Sequence, residues 1–219
     1  RGQTQGWSTD YLRVSPDSPQ ARKILDEHRP IWGTVSADAE VLDPFAKHHP
    51  EFWSLTRDKR MVLEPGEKRC LSLAFPEVRA KQIERFTDSL QETKSNGIQI
   101  EFVIGNEDQD SVSTYGYENA VADSFANTYG KSPFDIPNNH LEWMQFRADY
   151  VTRFMAELKT AITAEDPDAQ FSATIIAGDR DDYIKVLQDW PAWIEKGIID
   201  ELYVWWRTSS DIGLVEQQS

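Results

Sequence analysis

Apolar residues at Ile98, Ile100, Phe102 and Ile104 alternate with Gln99, Glu101 and Val103, the period of a strand with two unlike faces. Glu101 is the charged member, and a carboxylate in the middle of a helix-covered strand has to face a polar cavity or an ion partner. The alternation returns late in the chain, where Leu202, Val204 and Trp206 interleave with Glu201, Tyr203 and Trp205. A third strand is expected over 171–177, ending in Gly178-Asp179-Arg180-Asp181-Asp182.

Between these strands the period becomes helical. Pro76-Glu77 opens a helix that runs to about residue 95, with Ile83, Phe86 and Leu90 as its apolar stripe and Asn96-Gly97 as its cap. The longest helix is capped by Asn138-Asn139 and repeats Leu141, Met144, Ala148, Val151, Met155, Leu158 and Ile162 at +3 and +4 until Pro167. Shorter helices are expected over 118–129, closed by Gly130, and over 183–196, where Pro191 breaks or kinks the turn between Trp190 and Trp193. Upstream, Ser18-Pro19 starts a helix ending at Arg29-Pro30, 31–35 reads as a short strand, and Asp43-Pro44 opens a short helix through Phe52. Residues 55–68 read as a charged surface excursion, and 70–75 as an extended segment. Alternation of strand and helix implies an α/β fold with parallel pairing.

Composition adds bounds. The 219 residues suit one domain spanning 1–219, and 39% hydrophobic with 27% charged residues is the balance of a soluble globular protein. A net charge of -14 disfavours nucleic acid and anionic membrane surfaces, and no apolar run is long enough to insert in a membrane. The single Cys70, beside Leu71 and Leu73, excludes an internal disulfide and reads as a small buried hydrophobe. His48 and His49 point about 100° apart on a helix and make a poor metal pair. The acidic run Glu107, Asp108 and Asp110 is better explained as a solvated loop than as a cation site, so neither metal nor cofactor is expected. Eight tryptophans raise a carbohydrate ligand, because aromatic rings stack on sugar faces, although they fill cores equally well.

In parallel α/β folds the chemistry sits at the carboxyl ends of the strands. That rule selects Glu101 with the long acidic loop behind it, Asp179 at the next strand end, and Trp205 and Arg207 at the last. Glycosidic cleavage needs two carboxyl groups flanking the bond and aromatic platforms for the sugar, and these parts are available. Neither a glycine-rich phosphate loop nor a Gly-x-Ser-x-Gly elbow occurs.

Several segments carry a resemblance. His49-Pro50-Glu51-Phe52-Trp53, the run Leu71 to Arg79, Gly97-Ile98-Gln99-Ile100-Glu101-Phe102, Phe146-Arg147-Ala148-Asp149-Tyr150-Val151-Thr152 and Gln188-Asp189-Trp190-Pro191-Ala192-Trp193 resemble, in order and spacing, the bacterial glycosyl hydrolase-like family 10. The resemblance runs from about residue 49 to 206. It implies a (β/α)8 TIM-barrel type fold, export to the periplasm, cell surface or medium, and action on a polysaccharide or oligosaccharide. The family strand usually reads Gly-Ile-His-Leu-Asp, so Glu101 stands here as a longer carboxylate at the matching position. Only about four or five of the eight strands of a closed barrel can be placed, so the chain is expected to be a partial barrel, incomplete at both ends.

Glu101 is therefore the first candidate for general acid or nucleophile and Asp179 the second. Arg147, which matches a family Arg, Tyr117, Trp205 and Arg207 are the candidate substrate-binding groups, while Trp190 and Trp193 are expected in the core. The rival readings are a catalytically silent glycan-binding barrel and an acidic structural or interaction domain on the same fold.

Overall fold

The protein is described by a computed structural model that defines residues 45–46, 48–60, 63–64, 68–69, 71–101, 115–176 and 178–205. The expected helix from Ser18, the strand at 31–35, Cys70, the acidic loop after Glu101, Trp206 and Arg207 lie outside these residues.

Residues 45, 46 and 48 are helical and Pro50–Phe52 forms a 3-10 turn, so the helix expected through Phe52 is interrupted at His49; its expected start at Asp43-Pro44 lies outside the described residues. Leu63–Glu64 (β1) and Lys68–Arg69 (β2) then pair as an antiparallel hairpin within the charged excursion. Residues 71–75 are a bridge and a turn rather than a strand, and the turn feeds helix Pro76–Thr93 (α1). Pro76 opens α1 because its missing N–H is not needed in the first turn. The helix closes at Lys94 in the left-handed region (φ 51), not at Asn96-Gly97. Gly97 instead starts strand Gly97–Glu101 (β3), where a Cβ would stand 2.1 Å from the carbonyl oxygen of Gln170.

Helices Asn119–Tyr129 (α2) and Leu141–Glu165 (α3) precede strand Gln170–Ile176 (β4). Gly130 closes α2 at φ 68, as read. The expected caps of α3 do not cap it: His140 is the N-cap residue, without a side-chain hydrogen bond. Arg180–Lys185 (α4) and Trp190–Glu195 (α5) follow, and Glu201–Trp205 (β5) ends the described fold. The break expected at Pro191 falls earlier, with Leu187 at φ 58, and Pro191 lies in the first turn of α5, where it is tolerated.

β3, β4 and β5 form a three-stranded sheet in sequential order, parallel throughout. Ile98, Ile100, Phe171, Ala173, Ile175 and Leu202 on one face join Phe86 and Leu90 of α1, Met155, Leu158 and Ile162 of α3, Ile184 of α4 and Trp193 of α5 in one core. Sequential parallel strands with helices packed on one face are consistent with part of an α/β barrel. A second, aromatic cluster of Tyr117, Val121, Phe125 and Trp143 sits where α2 meets the start of α3. Among the described residues no helix is long and apolar enough to cross a membrane.

Candidate functional site

The face of the sheet turned away from the helices is polar. The register aligns Gln99 with Ser172 and Glu201, and Glu101 with Thr174 and Tyr203. Because side chains alternate, these six share one face in two rows. Gln99 donates from Nε2 to Thr174 Oγ1 at 2.9 Å, and the Tyr203 hydroxyl donates to Glu201 Oε2 at 3.0 Å. That bond to a carboxylate, helped by burial, holds the Tyr203 phenol above its ordinary pKa. Ser172 is 1% exposed, and its Oγ has no hydrogen-bond partner among the described residues. Glu101 is exposed at the carboxyl end of β3.

Gln188 closes the carboxyl end of β4. It is buried, and its Oε1 accepts from the backbone N–H of Ile176 at 2.9 Å. Asp179 follows as the N-cap of α4, its carboxylate accepting from the N–H groups of Asp181 and Asp182, while Asp182 returns the bond to the Asp179 N–H in a capping box. The start of α3 lies on this same side, because Arg180 donates to Gln145 Oε1 at 3.1 Å and Gln145 donates to Asp189 Oδ2 at 2.7 Å.

Arg147 and Tyr117 are interior groups. Arg147 is 3% exposed; its Nη1 donates to the Tyr115 carbonyl at 2.5 Å and its guanidinium lies 5.1 Å from the Trp143 ring centre. Burial pushes it down to about 10. Gly116, at φ 95, lets the backbone pass so close that a Cβ would sit 2.6 Å from Arg147 Cδ. Tyr117 is fully buried between Phe134 and Trp143, at ring distances of 5.4 and 5.0 Å, and its hydroxyl donates to Asn138 Oδ1 at 2.8 Å. A ring enclosed in this way offers no free face for a sugar. Trp205 pairs with Ile176 in register at the end of β5. The structure thus exposes Glu101 on the polar face, sets Asp179 in a helix cap, and places Arg147 and Tyr117 in the packing behind.

A family model described as glycosyl hydrolase-like 10 matches residues 20–217. The chain belongs to the glycosyl hydrolase-like 10 family. No curated protein matches the chain. For a member of this family the polar sheet face is the natural place to look for carboxylates, and it holds one that strand-end reasoning passed over. Glu201 opens β5 on the same face as Glu101, and its signal was the alternation with Leu202 and Val204.

A second overlooked acid is Glu118. It is 2% exposed, accepts from the Leu55 N–H at 3.0 Å through Oε1, and leaves Oε2 without a hydrogen-bond partner among the described residues. Burial raises its pKa, against the pull of its hydrogen bonds and of nearby Arg147 and Lys59. In sequence Glu118 reads only as the start of a helix, because Leu55 lies 63 residues away. Among the described residues no His, Cys, Asp and Glu cluster could hold a metal.

Proposed function

We propose that this glycosyl hydrolase-like chain is part of a (β/α)8 barrel that cleaves an exported-compartment polysaccharide by carboxylate catalysis, with Glu101 as general acid or nucleophile. The observation that carries the reading is the exposed carboxylate of Glu101 at the carboxyl end of β3, on a sheet face lined by Thr174 and Tyr203 in its own row and by Glu201 below. A parallel barrel delivers its reacting groups at this end.

The second carboxyl group has two candidates. Glu201 lies two strands across and one pleat down, a Cα separation of roughly 12 Å from strand spacing and rise. Two glutamate side chains reaching toward each other over that span fit the wider spacing of inverting enzymes, about 6.5–9.5 Å between carboxyl groups. Asp179 is nearer the strand end, but its carboxylate already satisfies two backbone donors of α4. Arg147 holds the return of the chain after Glu101, at Tyr115 and Gly116, and so shapes the site without touching substrate.

A panel of soluble polysaccharides assayed for new reducing ends tests the assignment. Glu101→Gln is expected to lower turnover by about 10²–10⁴-fold, the range for loss of a positioned acid or base, with glycan binding retained. Full activity in Glu101→Gln refutes it. Binding by the wild type without product release would favour a catalytically silent glycan-binding barrel.

A further inference from the structure

Away from the polar sheet face, a tight turn at residues 56–60 gathers three cations in a chain of net charge -14. The turn is closed by Thr56 N–H to the Arg60 carbonyl at 2.8 Å and Lys59 N–H to the Thr56 carbonyl at 2.9 Å. Lys59 sits at φ 63, a conformation more often left to Gly or Asn. Its ammonium reaches the Tyr117 carbonyl at 2.7 Å and Asn119 Oδ1 at 2.6 Å, and lies 4.8 Å from the Phe134 ring centre. Arg57 donates to the carbonyls of Ile136 and Phe134 and to Asn138 Oδ1. Every one of these acceptors is neutral. Such bonds fix a cation in place without neutralising it; among the described residues no carboxylate lies within ion-pair distance of Arg57 or Lys59, and the buried Glu118 carboxyl acts on Lys59 from farther off.

Arg57 and Arg60, but not Lys59, border an open cleft of about 510 Å³ lined also by Thr56, Asp58 and Asn138. Among the described residues its one lining acid, Asp58, pairs with Arg60 at 2.5 Å. The cleft is tied to the carboxyl side of the sheet, because Thr56 bridges Tyr115, which Arg147 holds against the start of α3. A strained, cation-rich turn fastened by neutral acceptors and opening on a cleft is arranged to receive negative charge.

We propose that this cleft is a subsite for a negatively charged sugar, so that the polymer bound is an anionic polysaccharide with carboxylate or sulfate groups. The proposal rests on the glycan reading of the site. It names what the polar sheet face alone leaves open, the sign of the substrate's charge.

Calorimetric titration with hexagalacturonate, a sulfated hexasaccharide and neutral cellohexaose tests it. Asp58 and Arg60 have side chains 59% and 78% exposed, so substituting either leaves the core intact. Arg60→Gln is expected to weaken binding of the acidic hexamers about two- to fivefold and Asp58→Asn to strengthen it by a similar factor, as for exposed charges. Cellohexaose is expected to bind more weakly than the acidic hexamers and to respond to neither substitution. The stronger of the two acidic probes tells carboxylate from sulfate. Equal affinity for neutral and acidic hexamers, or opposite charge changes that move affinity the same way, overturns the subsite and leaves the glycosidase reading standing. Charge-dependent binding with no cleavage of any hexamer supports the subsite and removes the catalytic reading. Failure of all three to bind removes both.

Discussion

The first and last turns of α3 sit in different surroundings. From Val151 onward the helix buries Phe154, Met155, Leu158 and Ile162 against the sheet and α1, a mainly apolar contact in which the buried polar groups are paired, Arg79 of α1 with Glu157 at 2.7 Å and Trp193 with Thr152 at 2.9 Å. Before Val151 it buries Trp143 and Arg147 among aromatic rings, backbone carbonyls and the Glu118 carboxylate. Packing of the first kind tolerates small rearrangements, whereas a buried charge network fails when one member is removed. The forgiving half carries the sheet. The exacting half holds the backbone at Tyr115 and Gly116.

The sharpest way to test this contrast is Arg147→Ala, which strips the cation from the Tyr115 carbonyl and, among the described residues, leaves Glu118 with only Lys59 as a nearby opposite charge. It is expected to cost about 3–5 kcal/mol in urea unfolding, the range for breaking a buried charge pair. Hydrogen exchange in that variant should quicken first at residues 53–57 and 115–118. Uniform quickening over the sheet would mean that the two halves of α3 are one cooperative unit.

Next in size is Leu158→Ala, a fully buried position on the aliphatic half. A loss of about 2–5 kcal/mol is expected from transfer and cavity effects, with faster exchange in β3 and β4 while the aromatic cluster keeps its protection. Asp179→Ala comes third: removing the cap of α4 is expected to cost about 0.5–2 kcal/mol. A much larger loss of activity than of stability in that variant would favour Asp179 over Glu201 as the second carboxyl group.

The smallest effect is one of sign. Burial raises the Glu118 pKa, so the folded state holds this proton more tightly than the unfolded chain does. Its contribution to stability is complete below the ordinary carboxylate value and is lost as pH rises through the raised one. Glu118→Gln has no such proton. The Tm difference, variant minus wild type, should therefore be larger at pH 7 than at pH 4, and a difference that shrinks with pH would show Glu118 to be stabilised as an anion by Arg147.

The contrast within α3 also explains what the sequence made readable. Its aliphatic repeat, the opening of α1 at Pro76 and the alternation through Glu101 depend on neighbours a few residues away, and the structure bears out the elements they imply. Asn138 has the right chemistry for a helix cap, yet its side-chain oxygen accepts from Arg57 and Tyr117, a use set by residues distant in sequence. Tyr117 and Arg147 looked like substrate groups because their residue types suit a sugar, while their burial depends on Phe134, Trp143 and Tyr115 converging in space. Glu201 was readable by the same alternation as Glu101; only the register between β4 and β5 shows that the two share a face.

Gly97 carries a consequence of another kind. With 2.1 Å between its missing Cβ and the Gln170 carbonyl oxygen, the position has no room for a methyl group. Glu101 lies four residues along the same strand, exposed. In a library of random substitutions, position 97 should survive only as glycine, whereas variants at 101 should accumulate freely under selection for folding and disappear under selection for growth on the substrate. One short strand would then record two separate selective pressures, one at each end.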